Sequence, residues 1–265
     1  MATGCLGEDS GGGESREEPL TDTSAANPFG EDTSLSRTRS SIVPANEDDV
    51  AALERLGVRL ERDHRDAVWK AVADGSQFTD AELAHLPGLP ELEWLEIGGC
   101  TITDAGLENL AGLTKLQTLY LYDVPITDAG LVHLQGLTGL TVLSLQNTNI
   151  EGEGLVHLKD LTHLEVLNLS NTAVTDDALE NIEGLVEINT LALEGTKITD
   201  SGLIHCRPLE KLRVLNINRC AVTDAGMENL LGLTNLRMLD AAGTALTAES
   251  VENFCARMTA LAVQR

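Results

Sequence analysis

Leu92, Leu116, Leu140, Leu164, Ile188, Leu212 and Leu236 recur at a spacing of 24 residues. Each opens two patterns in turn. From Leu140 the chain reads LTVLSLQNTNI, with Leu143 and Leu145 separated by small or polar residues. That period of two predicts a strand buried on one face. In the other half of the unit the apolar residues are spaced by three, as at Leu131, Leu134 and Leu137, which suits a short helix or helical turn. One such unit cannot bury its own apolar edge, whereas stacked units enclose a continuous core. The pattern therefore predicts an α/β solenoid, with a parallel β-sheet on the concave face and short helices on the convex face.

The consensus L-x-x-L-x-L-x-x-T-x-I, followed in most copies by T-D-x-G-L-x-x-L-x-x-L, resembles the leucine-rich-repeat family. The resemblance is to its roughly 24-residue variety, common in bacterial proteins. It runs from about Ala67 to the C-terminus and comprises seven regular copies. A degenerate copy precedes them, with Val68, Ala71, Ala73, Ser76 and Phe78 in phase. The resemblance implies a protein that binds a partner. Many family members carry Asn where this chain has Cys100, Val124, Thr148, Thr172, Thr196, Cys220 and Thr244, so hydroxyls and thiols must make the turn contacts. Thr103-Asp104, Thr127-Asp128, Thr175-Asp176, Thr199-Asp200 and Thr223-Asp224 fall where each helix should begin. There Thr is expected to cap and Asp to complement the helix dipole, its carboxylate pointing outward.

Four regions follow. Residues 1–45 are rich in Ser, Gly and acids and poor in aliphatics, a composition that predicts a disordered tail. Residues 46–66 read as an N-terminal cap: Asn46 starts a helix carrying Val50, Leu53 and Leu56, Gly57 ends it, and Val58-Arg-Leu60-Glu alternates as a strand. Residues 67–247 hold the repeats. Residues 248–265 read as a capping helix with Val251, Phe254, Cys255, Met258 and Leu261 on one stripe.

A formal charge of −24 argues against nucleic-acid binding, which needs a basic surface, and against direct membrane insertion. It also keeps an elongated monomer in solution. The opening Met1-Ala-Thr-Gly-Cys5 resembles the end of a bacterial lipoprotein signal, which makes Cys5 a candidate lipidation site. The chain reads as cytoplasmic as written, and as a cell-envelope protein if that segment is the remnant of such a signal. Cys100 and Cys220 share one repeat position five units apart, about 24 Å at the strand spacing, too far for a disulfide. With Cys206 and Cys255 they read as buried small hydrophobes.

His85, His133, His157 and His205 alternate with Asn109, Asn181, Asn229 and Asn253 in one column. Free exchange of His for Asn points to a shared hydrogen-bonding role rather than to a metal. No nucleophile elbow, phosphate loop or HExxH is present, so neither catalysis nor a cofactor is expected. The strand positions between the leucines carry the candidate chemistry. Trp94, Tyr120 and Tyr122, three of seven aromatics, fall on one face in adjacent repeats. They are expected to project into solvent as anchors for a protein or peptide ligand. Glu96, Thr118, Asp123, Asn168, Glu194, Asn216, Asn218, Arg219 and Asp240 complete the expected binding face. Two other readings fit: a lipid-tethered structural protein of the envelope, and an acidic inhibitor of a basic protein.

Overall fold

The computed structural model describes residues 43–75, 77–258 and 261–264, so Cys5 and nearly all of the tail lie outside the described residues. Ten strands form one sheet in sequence order. Strand β1 (Arg59–Arg62) pairs antiparallel with β2 (Val68–Asp74). Parallel strands then follow one per repeat: β3 (Trp94–Gly98), β4 (Thr118–Tyr122), β5 (Val142–Ser144), β6 (Val166–Asn168), β7 (Thr190–Ala192), β8 (Val214–Asn216), β9 (Met238–Asp240) and β10 (Ala262–Gln264). The register steps by the sequence period, so Leu95, Leu119, Leu143, Leu167, Leu191, Leu215 and Leu239 stand in line and are buried.

Between the strands run short 3₁₀ helices such as Asp128–Leu134, Asp176–Ile182 and Asp224–Leu230. Spacing apolar residues by three is the period of a 3₁₀ helix, so Leu131 and Leu134 share its inward side and are fully buried.

The aspartates of the T-D pairs do not point outward. Each reaches the following repeat. Asp104 Oδ1 accepts from the Thr127 amide at 2.7 Å and Oδ2 from its hydroxyl at 2.6 Å. Asp80, Asp176, Asp200 and Asp224 hold Thr103, Thr199, Thr223 and Thr247 in the same way. Asp128, whose next repeat lacks the Thr, accepts instead from the amides of Glu151, Gly152 and Gly154. The carboxylates satisfy amide donors at the start of the next unit's helix with charge-assisted bonds, which are stronger than neutral ones. The threonines cap as expected at Thr127, Thr199 and Thr223. Thr103 and Thr175 do not.

This ladder explains the glycine two residues after Asp104, Asp128, Asp200 and Asp224. At Gly106, Gly130, Gly202 and Gly226 a Cβ would lie between 2.2 and 2.6 Å from the preceding repeat's Asp Oδ1. One rung is missing, because position 152 is glycine. Thr175 makes no corresponding bond among the described residues, and Ala178 stands where its neighbours have glycine. A Cβ on Gly152 would lie 2.3 Å from that of Ala178. The two exceptions to the consensus therefore compensate each other.

After each strand the chain turns through a left-handed residue: Gly75, Gly99, Asp123, Asn147, Asn171, Gly195, Arg219 and Gly243 all have positive φ. The next column supplies turn bonds. The hydroxyls of Thr148, Thr172, Thr196 and Thr244 donate to carbonyls three residues back, and Cys100 and Cys220 donate to carbonyls of the preceding repeat.

At the N-terminal end α1 (Glu47–Arg55) begins at Asn46, whose side chain accepts from the Asp48 amide. Val50 and Leu53 are buried, and the Asn46 amide donates to the Gly88 carbonyl at 2.8 Å. The short α2 (Asp80–Leu83) has a complete capping box between Thr79 and Glu82. At the other end α3 (Ala248–Arg257) stops at Arg257 instead of continuing through the last residues. Ala262–Gln264 becomes β10, beside Met238–Asp240. The repeat phase continues there: Ala262 lies 24 residues after Met238, and Val263 takes the place of Leu239.

Candidate interaction surface

Trp94 and Glu96 alternate with buried Leu95 and Ile97 along β3, and Tyr120 and Tyr122 flank buried Leu121 on β4. Period two places all four on the concave face. The aromatics lean on one another instead of standing free in solvent. The Trp94 and Tyr120 rings are 5.4 Å apart and tilted by 41°, within the favoured range for aromatic pairs. Tyr122 lies over Gly98, where a Cβ would come within 2.1 Å of the ring, and its hydroxyl donates to Glu96 Oε1 at 3.1 Å. All three are half-buried, so they project into solvent only in part. Thr118 is corrected: it is buried and offers a partner little surface. Glu96 is half-buried and Asp123 is exposed, its Oδ1 accepting from Asn147 Nδ2 at 2.7 Å.

Lys70 on β2 joins this cluster, although it is not among the residues expected on the binding face. Its Nζ lies 5.2 Å from the Trp94 ring centroid and 5.8 Å from that of Trp69, and pairs with Glu61 at 3.0 Å. Its place beside Trp94 was legible, since the two share a repeat column. The strand that supplies Glu61 was expected too, but its antiparallel pairing with β2, which breaks the repeat, was not. The Trp94 Nε1–H is buried without an acceptor among the described residues.

Carboxylates surround Tyr122. Burial, then the charge of Glu96 and its hydrogen bond, and then Asp74 and Asp123 push the phenol up to about 12. Burial and Glu96 also raise Tyr120. Among the described residues no basic side chain pairs with Asp74, Glu96 or Asp123.

The other half of the face is a polar lattice. Asn168 Nδ2 donates to Gln146 Oε1, and Asn216 Nδ2 to Glu194 Oε2, while Asn168 Oδ1 and Asn216 Oδ1 accept from Ser170 and Asn218 amides. Asp240 breaks the series. The Ala242 amide goes to Asn218 Oδ1, leaving Asp240 Oδ1 buried without a partner among the described residues. Burial, with the charge of Glu194, raises its carboxyl. Arg219 keeps a left-handed backbone at φ 58°, unusual for its residue type. Its guanidinium crosses Gly195 to reach Asn171 Oδ1 at 2.7 Å and Glu194 Oε1 at 3.1 Å. A side chain at Gly195 would obstruct that crossing. The expected residues thus form two groups rather than one site.

The His/Asn column divides by residue type. Asn109, Asn181 and Asn229 donate to backbone carbonyls, whereas His85 and His205 pair with Asp49 and Glu183, each at 2.7 Å. Cys100, Cys206 and Cys220 are free and buried, Cys255 is half-buried, and burial pushes the Cys206 thiol up to about 12. No described helix is long and apolar enough to cross a membrane.

A family model described as Leucine Rich repeat matches residues 92–111, 160–182 and 209–231. Each match lies in register with the strand and 3₁₀ ladder. The chain is a leucine-rich-repeat protein. This repeat protein is similar to internalin C2 of Listeria monocytogenes, at 25% identity and a TM-score of 0.53 over 68% of this chain and 81% of that one. A TDR receptor structure aligns at 16% identity and a TM-score of 0.46, over 64% of this chain and 34% of that one. No curated protein matches the sequence.

Proposed function

We propose that this leucine-rich-repeat protein is a non-catalytic module that binds a protein or peptide on the concave face at β3 and β4. The fold commonly mediates protein–protein interaction. The observation that carries the placement is the packed group of Trp94, Tyr120 and Tyr122, bordered by Glu96 and Asp123, on adjacent strands of the concave face. Rigid aromatics with little rotamer freedom left to lose make good anchors, and half-buried rings still present area to a partner. Asn168, Glu194, Asn216, Asn218, Arg219 and Asp240 are proposed as a second, polar contact zone.

Comparative capture from whole-cell extract tests this reading. Bait carrying Tyr120→Ala should lose a protein that wild-type bait retains, and bait carrying Glu180→Gln on the convex side should keep it. Equal retention by all three baits would place the site elsewhere.

A further inference from the structure

We propose that Arg37 and Arg39 of the N-terminal tail dock on the carboxylate-rimmed aromatic patch of β3 and β4. The occupant is thus a segment of the same chain, residues 33–42, which lie outside the described residues.

Three observations converge on it. The first is charge. Residues 1–32 carry eight acidic groups and one basic one, whereas 33–42, reading TSLSRTRSSI, carry two arginines and no acid. Facing them are Asp74, Glu96 and Asp123, gathered around Tyr122 without a basic partner among the described residues. Guanidinium groups stack on aromatic rings and pair with carboxylates, so both halves of the patch suit arginine.

The second is direction and reach. Where the described chain begins, it runs along the loop entering β3. The Asn46 amide meets the Gly88 carbonyl, and the Val43 amide meets Glu91 Oε1 at 3.1 Å. Moving back along the tail therefore moves forward toward Trp94. Extended backbone from Val43 to Arg39 spans about 13–14 Å and to Arg37 about 20 Å. From Glu91 along the chain to Trp94 is about 10 Å, and to Glu96 about 17 Å. So short a tether holds the arginines at high effective concentration.

The third is that the surface already takes a cation. Lys70 sits against Trp94 in the cation–π manner. Since Lys70 is paired with Glu61, it leaves the Tyr120–Tyr122 side and its carboxylates for the tail. The tail then covers the surface proposed for the external partner and competes with it.

A photocrosslinking residue, p-benzoylphenylalanine, placed at Thr38 of the full chain reads the contact directly. The expected product is an intrachain link to the segment 94–123. Its yield should fall at least fivefold in Arg37→Gln/Arg39→Gln, and again in Glu96→Gln/Asp123→Asn. Links chiefly to other segments, or a yield unchanged by removing the arginines, would overturn the proposal. Links between two chains would make a second copy the occupant and overturn it equally. None of these outcomes bears on whether an external partner binds the face, which the capture experiment decides on its own.

Discussion

At Tyr122 a single side chain reports the character of its surface. The phenol is pushed up to about 12 by burial and by surrounding carboxylates, with Glu96 accepting its proton in a hydrogen bond. Absorbance titration should find a tyrosine ionising near 12, and Glu96→Gln should bring it down. Two tyrosines ionising near 10 would mean that the ring does not lie among these acids. Asp63, in the β1–β2 turn, shows the opposite balance. Burial alone would raise it, but bonds from the Arg65 side chain and from the Arg65 and Ala67 amides bring it down to about 2. A carboxyl lowered in the folded state stabilises above its unfolded pKa, and that contribution fades as pH falls from about 4 to about 2. Asp63→Asn should therefore destabilise the protein at pH 7 and make little difference near pH 2. Destabilisation that persists at pH 2 would assign the effect to geometry rather than charge. Period two identified the faces of Trp94 and Tyr120 correctly. It could not show that Thr118 is buried on that same face, because coverage by neighbouring strands depends on side-chain packing across the ladder.

Elements stack through the aspartate ladder as well as through the leucines. The T-D-x-G motif was visible in the sequence, but a capping reading treats each repeat alone. The carboxylate acts between repeats, a relation that appears only once the register sets neighbouring units together. The substitution pattern still held the clue, since Gly152 and Ala178 depart from the consensus 26 residues apart, two positions beyond one period. A double-mutant cycle tests the coupling two rungs away, at Asp200 and Gly226. Gly226→Ala alone drives a Cβ into Asp200 Oδ1, whereas in an Asp200→Gly background that obstacle is gone. Denaturant unfolding should give a coupling energy of about 0.5–3 kcal/mol, with the alanine less harmful in the double variant. Additive effects would show that the ladder and the glycine column are independent. The ending of α3 was also legible in principle, since Ala262–Gln264 keeps the strand phase. The helical stripe of Phe254, Cys255 and Met258 obscured it, because apolar spacing alone does not mark where a helix gives way to a strand.

For the whole molecule, a period equal to the ladder step gives one long core and one long concave face, and the N-terminal half of that face concentrates aromatics beside Asp74, Glu96 and Asp123, which have no basic partner among the described residues. The repeat made the fold legible from the leucines alone. The partner surface was legible only as a column of residue types, because its grouping into an aromatic cluster and a separate polar lattice arises from side-chain contacts such as Trp94–Tyr120 and Asn216–Glu194. The central claim is that the aromatic cluster contributes to binding while the leucines beneath it contribute to the fold. The decisive measurement is the Kd of the captured protein for wild type and Tyr120→Ala, with unfolding of both alongside Leu121→Ala. Tyr120→Ala should weaken binding by about 1–3 kcal/mol, roughly 5- to 150-fold, and lower stability by about 1 kcal/mol through loss of the Trp94 contact. Leu121→Ala should cost about 2–5 kcal/mol of stability, since it opens a cavity in the core. An unchanged Kd for a folded Tyr120→Ala variant would contradict the account.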